Sequence, residues 1–501
     1  MSVGRKYVSP LLHSAFEAKF ALLQLLSFPL VLSAITSLFM EKSVYERLRI
    51  FGEPFVYLCN NNKVSKYCSN CLRIPKERKL YLCGKCEFAQ YCDKDCQRFS
   101  WKFHRNECRR LKSVFPNLPL TEVLFLSRVI DRVIFLEENG DKYKWQKERR
   151  WSDLIGHQDD IRNDPIKYAH FEKIYGKMEL FRKDEMIDKK KFFDIFCKIS
   201  INAHSIHSSA GNEIGMAIDF GVSAYDHSCR PNCSLVFDGY RACLRPLTPN
   251  TDAKNPEVSF ISYIDLGRSR YQRRKELQAK YFHCECSRCS DPADNILTSI
   301  RCVNPTCDEP LITTEDAEPC AIICAKCSQE ASLEHVEKCQ KFMINLPDKF
   351  DVDIDVKLLE ELFEKATALL HSKNIYVTRL QTAILHIQGT LGNNLQFIQK
   401  NVYENYKMCF PHMDRHIAFH LLHIVKSLIE KGERFEVAAP YAYEAMNIFE
   451  VCFGLEHPYY LQTLALWTFL DTKAQKTNDE LFALMNLESN TPIDISQYLF
   501  K

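Results

Sequence analysis

The sequence lacks a charge bias. Across 501 residues, Lys and Arg number 66 and Asp and Glu number 64, leaving a formal +2. That balance excludes a protein that holds a bulk polyanion by charge alone. Two basic clusters remain, "RFSWKFHRNECRRLK" and "RSRYQRRK", and runs of this kind are mostly solvated faces. No compact basic import signal is present. The composition of disorder is also missing, since 46% of residues are hydrophobic and 26% charged. The length predicts two to four domains, at roughly 100–200 residues each.

Cysteine is abundant instead, with 23 in the chain. A disulfide-rich secreted chain is normally short. A long chain with cysteines at two- and three-residue gaps, mixed with histidine, reads as zinc binding in a reducing compartment. One stretch points elsewhere. Phe20–Met40 carries no charge and is long enough for a helix to cross a bilayer, and Lys19 precedes it as in a signal peptide. Pro29 and several Ser and Thr residues temper its apolarity, and thiolates meant for zinc suit the cytosol or nucleus. The run is read as a buried N-terminal segment, with a membrane anchor as the alternative.

Residues 68–108 space their ligands C-x2-C-x11-C-x2-C-x5-C-x3-C-x7-H-x3-C. Zinc takes four such ligands as a tetrahedron, and short gaps let neighbours share one ion. Eight ligands make two closed sites, which are structural because no coordination position stays open. Some forty residues bury too little core to fold alone, so metal supplies the folding energy. The spacing leaves the pairing open between sequential and interleaved.

Two more clusters follow. "KYFHCECSRCSDP" supplies Cys284, Cys286 and Cys289, one ligand short of a tetrahedron, and "YDHSCRPNCSL" offers Cys229 or Cys233 as the fourth. Further on, Cys302, Cys307, Cys324 and Cys327 give C-x4-C-x16-C-x2-C, a spacing like a zinc ribbon, with Cys320 as a spare thiol. Between the clusters, "LTEVLFLSRVIDRVIFLEEN" repeats Val123, Leu126, Val129, Ile130, Val133 and Ile134 at helical intervals. "IFGEPFVYLC", "CSLVFDGYRACLRPL" and "EVSFISYIDL" read as strands and turns. From about residue 330 the pattern is helical. "KLLEELFEKATALLHS" puts Leu358, Leu359, Leu362, Phe363, Ala366 and Leu370 on one face. Successive helices without a strict period fit a helical-repeat array or an irregular bundle.

The eight-ligand order, with Tyr91 before Cys92, Trp101 and the closing H-x3-C, resembles the MYND zinc finger. "DHSCRPNCSLVFDG" resembles the asparagine-histidine-serine-cysteine core of SET domains, "VSFISYIDL" the following strand with its catalytic tyrosine, and "CECSRC" the post-SET zinc cluster. Together they resemble the SET and MYND domain family of protein-lysine methyltransferases over most of residues 45–475. The resemblance implies an α+β fold: a SET-domain β-fold split by a MYND finger, a post-SET zinc cluster, and a C-terminal helical, tetratricopeptide-like array. The implied domains are a divergent first SET lobe at 1–67 containing the apolar run 20–40, the finger at 68–108, a helical SET insert at 109–195, the core SET at 196–268, the post-SET cluster at 269–292, a zinc ribbon at 293–330, and the array at 331–501.

The resemblance also implies the chemistry. Interleaved zinc pairing would put Cys68, Cys71, Cys92 and Cys96 on one ion and Cys83, Cys86, His104 and Cys108 on the other. Cys229 would complete the zinc of Cys284, Cys286 and Cys289, and Cys233 would pack. Tyr263 would be the catalytic tyrosine and Tyr281 an aromatic lining the lysine channel. Asn202, Asp226, His227 and His283 would contact S-adenosylmethionine. Three structural zincs, and a fourth in the ribbon, are expected. The implied partners are a protein substrate presenting a lysine and proline-containing peptides at the finger, with weak or no nucleic-acid binding, in the nucleus, the cytoplasm or both. Two departures point to a second reading, a scaffold around a degenerate SET core: Asp226 stands where the family has asparagine, and residues 1–50 hold one glycine, Gly4, where the family has a glycine-rich turn.

Overall fold

The computed structural model describes residues 47–75, 79–140, 149–347, 350, 355–388, 395–471 and 476–485. The apolar run Phe20–Met40 and the expected glycine turn lie outside the described residues. Among those described, no helix is long and apolar enough to cross a membrane. The chain divides into Met1–Leu48 and Arg49–Lys501, and the elements described all belong to the second unit.

Two short strands open it, β1 (Arg49–Ile50) and β2 (Val56–Cys59). The finger contributes the hairpin β3 (Tyr81–Leu82) and β4 (Gln90–Tyr91) and runs into α1 (Lys94–Val114). Asp93 starts that helix by accepting the Cys96 N–H at 2.7 Å. Helices α2 (Thr121–Asn139), α3 (Gln158–Asn163), α4 (Pro165–Arg182) and α5 (Lys189–Asn202) follow. Val123, Leu126, Val129, Ile130 and Val133 are all buried, as their spacing predicts, and α2 packs on β2, α4 and α5. The expected boundaries at 108 and 195 fall inside helices, because α1 carries the last finger ligands and α5 runs on to Asn202.

Strands β5 (His204–His207), β6 (Glu213–Ile218), β7 (Cys233–Asp238) and β8 (Arg241–Pro246) complete two antiparallel sheets, ordered β2-β6-β5 and β1-β8-β7. The strands before the finger therefore pair with strands after the helical insert, and the β-fold is split around both. Two glycines permit the close approaches this needs. A Cβ on Gly215 would sit 2.4 Å from the Leu58 carbonyl oxygen across the β2–β6 pair. Gly239, at φ +62, turns the β7–β8 hairpin, and its Cβ would lie 2.2 Å from the Cys71 carbonyl oxygen of the finger.

"EVSFISYIDL" is not a ladder strand. Its backbone is spent on the loop that precedes β7: Ile261 N–H donates to Asp226 O, Ser228 N–H to Ile261 O, and Cys233 N–H to Phe260 O. One parallel bridge, His227 to Ile261, is all the regular pairing it has. The expectation of a strand fails because its apolar residues pack against a loop, not against a neighbouring strand. Beyond it come α6 (Arg270–Gln278) and the short α7 (Ser287–Ser290).

The ribbon closes with the hairpin β9 (Ile322–Ile323) and β10 (Glu330–Ala331), then α8 (Leu333–Asn345). Seven helices follow: α9 (Val356–Leu369), α10 (Ile375–Gln388), α11 (Leu395–Cys409), α12 (Arg415–Glu430), α13 (Ala439–Phe453), α14 (Pro458–Asp471) and α15 (Asn478–Met485). From α9 on, each packs on the next, the contact pattern of an array. Leu358 corrects the expected apolar face of α9: it is exposed, whereas Leu359, Ala366 and Leu370 are buried. One apolar core joins the post-SET cluster, the ribbon and the array, while a second joins the finger to the insert helices.

Candidate active site and metal centres

Four groups of side chains bring their ligand atoms within 4.8 Å of one another: Cys68, Cys71, Cys92 and Cys96; Cys83, Cys86, His104 and Cys108; Cys229, Cys284, Cys286 and Cys289; and Cys302, Cys307, Cys324 and Cys327. In the finger the folded chain interleaves the ligands, and Cys229, not Cys233, joins the post-SET group. A tetrahedral zinc with Zn–S bonds near 2.3 Å sets its sulfurs about 3.8 Å apart. The observed spacings are 3.7 Å for Cys71–Cys92, 3.8 Å for Cys83–Cys108, 3.6 Å for Cys229–Cys289 and 3.7 Å for Cys307–Cys324. The donor sets fit zinc, and the protein binds it. Cys233 is buried apart from the cluster, burial pushing its thiol up to about 11.

The pair Tyr263 and His227 sits beside the post-SET group. Their rings lie 5.3 Å apart, and the Tyr263 N–H donates to His227 Nδ1 at 3.0 Å. His227 Nε2 lies 3.2 Å from Cys229 Sγ. Both nitrogens are thus engaged within the protein, and burial holds the ring neutral, its pKa pushed down to about 4. His227 couples a metal ligand to the backbone of Tyr263. The Tyr263 hydroxyl donates to the Tyr225 carbonyl at 2.6 Å. The ring of Tyr263 is partly exposed, but desolvation of its hydroxyl and the Asp226 charge push this phenol up to about 12 against the opposing Arg149, so it stays protonated. Asp226 is exposed, so replacing an amide by a carboxylate here buries no charge.

Tyr281 lies between α6 and the post-SET thiols. It is the left-handed residue, φ 57, that follows α6, a conformation that costs a residue with a Cβ about 1 kcal/mol or more. Its ring stacks on His157 at 5.4 Å, Lys167 Nζ lies 4.0 Å from the ring centre, and its hydroxyl donates to Asp164 at 3.3 Å. Phe282 bridges the two tyrosines' surroundings, edge-on to His227 at 6.2 Å. Tyr281, Phe282 and the exposed His283 line a cavity of about 900 Å³. Asn202 is separate. As the last residue of α5, its amide donates to the Lys198 and Ile155 carbonyls, both at 2.8 Å.

Several functional partners were not foreseen. Glu107 accepts from His104 Nδ1 at 2.9 Å and from Arg128 at 2.7 Å, orienting the other imidazole nitrogen toward Cys86 Sγ, 3.5 Å away. Burial alone would raise its pKa, but Arg128 and His104 outweigh burial and hold it at about 2. This is the carboxylate–histidine arrangement that fixes a zinc ligand. The three-residue step from His104 to Glu107 on one helix was its only signal in the chain. Asp294 lies between Arg273 and Arg288, each at 2.8 Å, all three buried. Arg273 Nη2 approaches Cys289 Sγ at 3.7 Å, and Arg288 reaches the Cys409 carbonyl of α11 at 2.7 Å. The post-SET cluster is therefore tied to the array by a buried ionic network.

The MYND finger family model matches residues 57–108. Histone-lysine N-methyltransferase ASHR1 of Arabidopsis thaliana is 29% identical over 357 residues, 66% of this chain and 71% of that protein. Histone-lysine N-methyltransferase SMYD3 of Homo sapiens is 27% identical over 247 residues, 48% of this chain and half of that protein. N-lysine methyltransferase SMYD2 of Homo sapiens is 24% identical over 427 residues, 82% of this chain and 90% of that protein. These matches come to a chain whose β-fold is split by the finger and whose post-SET thiols gather around Cys229. The chain carries a MYND finger and is similar to proteins named histone-lysine and N-lysine methyltransferases. The four-cysteine group around Cys229 lies one side chain, His227, away from Tyr263. Tyr281, Phe282 and His283 immediately precede Cys284, so the four-cysteine group fixes the end of the segment that carries them.

Proposed function

We propose that this chain is a SET and MYND protein and an S-adenosylmethionine-dependent protein-lysine N-methyltransferase, working on a histone or another protein. The single observation that carries the reading is the Tyr225–His227–Tyr263 arrangement, in which a protonated phenol and a backbone carbonyl meet beside the post-SET thiols. The lysine methyltransferase names of the relatives support it. When bound, S-adenosylmethionine supplies a methyl already activated by a sulfonium. The protein residues near Tyr263 suit such a ligand: Asp226 offers an exposed carboxylate to a cation, and Arg149, which donates to the Ser223 carbonyl, offers a guanidinium to a carboxylate.

The task left to the protein is positioning. The Tyr263 hydroxyl and the Tyr225 carbonyl orient the lysine amine and stabilise positive charge that develops near it. Tyr281 and Phe282 form an aromatic wall that favours the neutral amine by desolvation. Asn202 and His283 flank the cofactor from α5 and the post-SET turn. The finger's exposed Tyr81, Leu82, Phe99 and Trp101 offer a surface for a proline-containing peptide, and thiols suited to zinc support a reducing compartment, the nucleus or the cytoplasm.

The test is methyl transfer from labelled S-adenosylmethionine to protein lysine. Tyr263→Phe removes the hydroxyl and is expected to lower kcat at least a hundredfold while the cofactor still binds. Unchanged turnover in that variant refutes the role of Tyr263.

A further inference from the structure

The cavity of about 900 Å³ adjoins the proposed lysine site through Phe282, whose ring touches both the cavity and His227. One of its walls is the basic stretch "RSRYQRRK". Arg270, Arg274 and Lys275 stand at i, i+4 and i+5 of α6 and all face it. This run is not a solvated face: Arg273 is fully buried, and Arg270 and Arg274 are half-buried.

The acidic groups lining the cavity are mostly committed elsewhere. Asp294 is clamped by Arg273 and Arg288, Glu315 accepts the Tyr376 hydroxyl through Oε1 at 2.7 Å while its Oε2 is buried without a hydrogen-bond partner, and Asp160 Oδ2 lies 2.9 Å from His157 Nδ1. Lys275 and Asp316 are both exposed. Arg274 is different. Its Nε is buried without a hydrogen-bond partner, and among the described residues no carboxylate pairs with its guanidinium. Asn295, in the same cavity, has a buried Oδ1 with no donor. A half-buried guanidinium and an unused amide acceptor match the two things an extended acidic peptide offers, a side-chain carboxylate and a backbone N–H.

We infer that the α6 face, centred on Arg274, binds an acidic side chain next to the target lysine, so that the preferred substrate is a lysine in an acidic sequence and not a basic tail. This rests on the methyltransferase reading for the identity of the target, but peptide binding tests it separately. A basic tail would bring like charge against Arg270 and Arg274 in a partly desolvated site. A planar fork of donors is suited to a carboxylate in two-point contact, which lysine could not reproduce.

The experiment uses the full chain with zinc. Two fluorescent lysine-centred dodecapeptides, one flanked by Asp and Glu and the other by Lys and Arg, are titrated by anisotropy at low and high salt. The same peptides are then tried as methyl acceptors. The acidic peptide is expected to bind at least tenfold tighter at low salt, with the margin shrinking at high salt. Arg274→Gln is expected to remove most of the margin and Arg274→Glu to reverse it, with the change in methylation appearing in KM more than in kcat. Equal binding of the two peptides by the unmodified protein, or a margin that Arg274→Gln leaves intact, overturns the inference; the unmodified protein decides the first even if a variant fails to fold. Acidic preference without any methyl transfer supports the groove while removing the enzymatic reading. Efficient methylation of the basic peptide alone does the reverse.

Discussion

Two phenols and one carboxyl carry the pH behaviour of the site. Tyr263 is pushed up to about 12 by desolvation of its hydroxyl and Asp226, and Tyr281 to about 12 by burial and Asp164. Neither can act as a base near neutrality, so deprotonating the lysine falls to its desolvated surroundings. The expected profile of kcat/KM rises with pH as the free lysine, at about 10.4, loses its proton. A descending limb between pH 8 and 10 would show that a phenol ionises and contradict the assignment.

Asp219 makes a second prediction. It is buried beneath the turn that leads to Tyr225, and its carboxylate accepts the Gly221 and Val222 N–H groups. Burial outweighs those bonds and the attraction of Arg49, raising its pKa from 3.8 to about 6. An acid with a raised folded-state pKa contributes most below its unfolded value and less as pH rises through about 6. The loss approaches about 3 kcal/mol. Asp219→Asn keeps the acceptor and removes the charge. It is expected to unfold at higher denaturant than the parent at pH 7.5, with the gap closing toward pH 4.5. A constant gap, or none, contradicts this.

At the level of elements, how much could be read in advance depended on whether a residue's partners were close in sequence. The candidate ligands were legible from their spacing, a local property, but how the finger's ligands pair and whether Cys229 or Cys233 joins the post-SET thiols were not, since those partners lie far apart in sequence. Also legible were α2, from its apolar period, and the β7–β8 hairpin, from Asp238-Gly239 between two apolar runs. The segment around Tyr263 was misread as a strand because alternation reports burial on one side, and a loop can supply that side as well as a strand. The Asp294 network and the Glu107–Arg128 pair were invisible because they join residues across elements, 21 positions apart for Arg273–Asp294 and for Glu107–Arg128. The finger's second metal site tests the latter. Glu107→Gln leaves Arg128 buried without its counterion and His104 without its orienting carboxylate. One zinc of four is expected to become about 10- to 100-fold easier to remove with a chelator, the others staying put. Loss of zinc at parent rates would mean that His104 is held by packing alone.

In the whole molecule, metal, pocket and array form one chain of contacts. Cys229 holds the post-SET thiols, His227 links Cys229 to Tyr263, and Arg288 ties the same turn to α11. The departure at Asp226 fits this frame, since an exposed carboxylate costs little. The central claim is that this pocket takes S-adenosylmethionine. Titration calorimetry on the zinc-loaded full chain tests it most directly. One S-adenosylmethionine bound per chain, with binding retained in Tyr263→Phe, is the predicted result; no heat of binding at any ratio, from protein that holds its zinc, would contradict it.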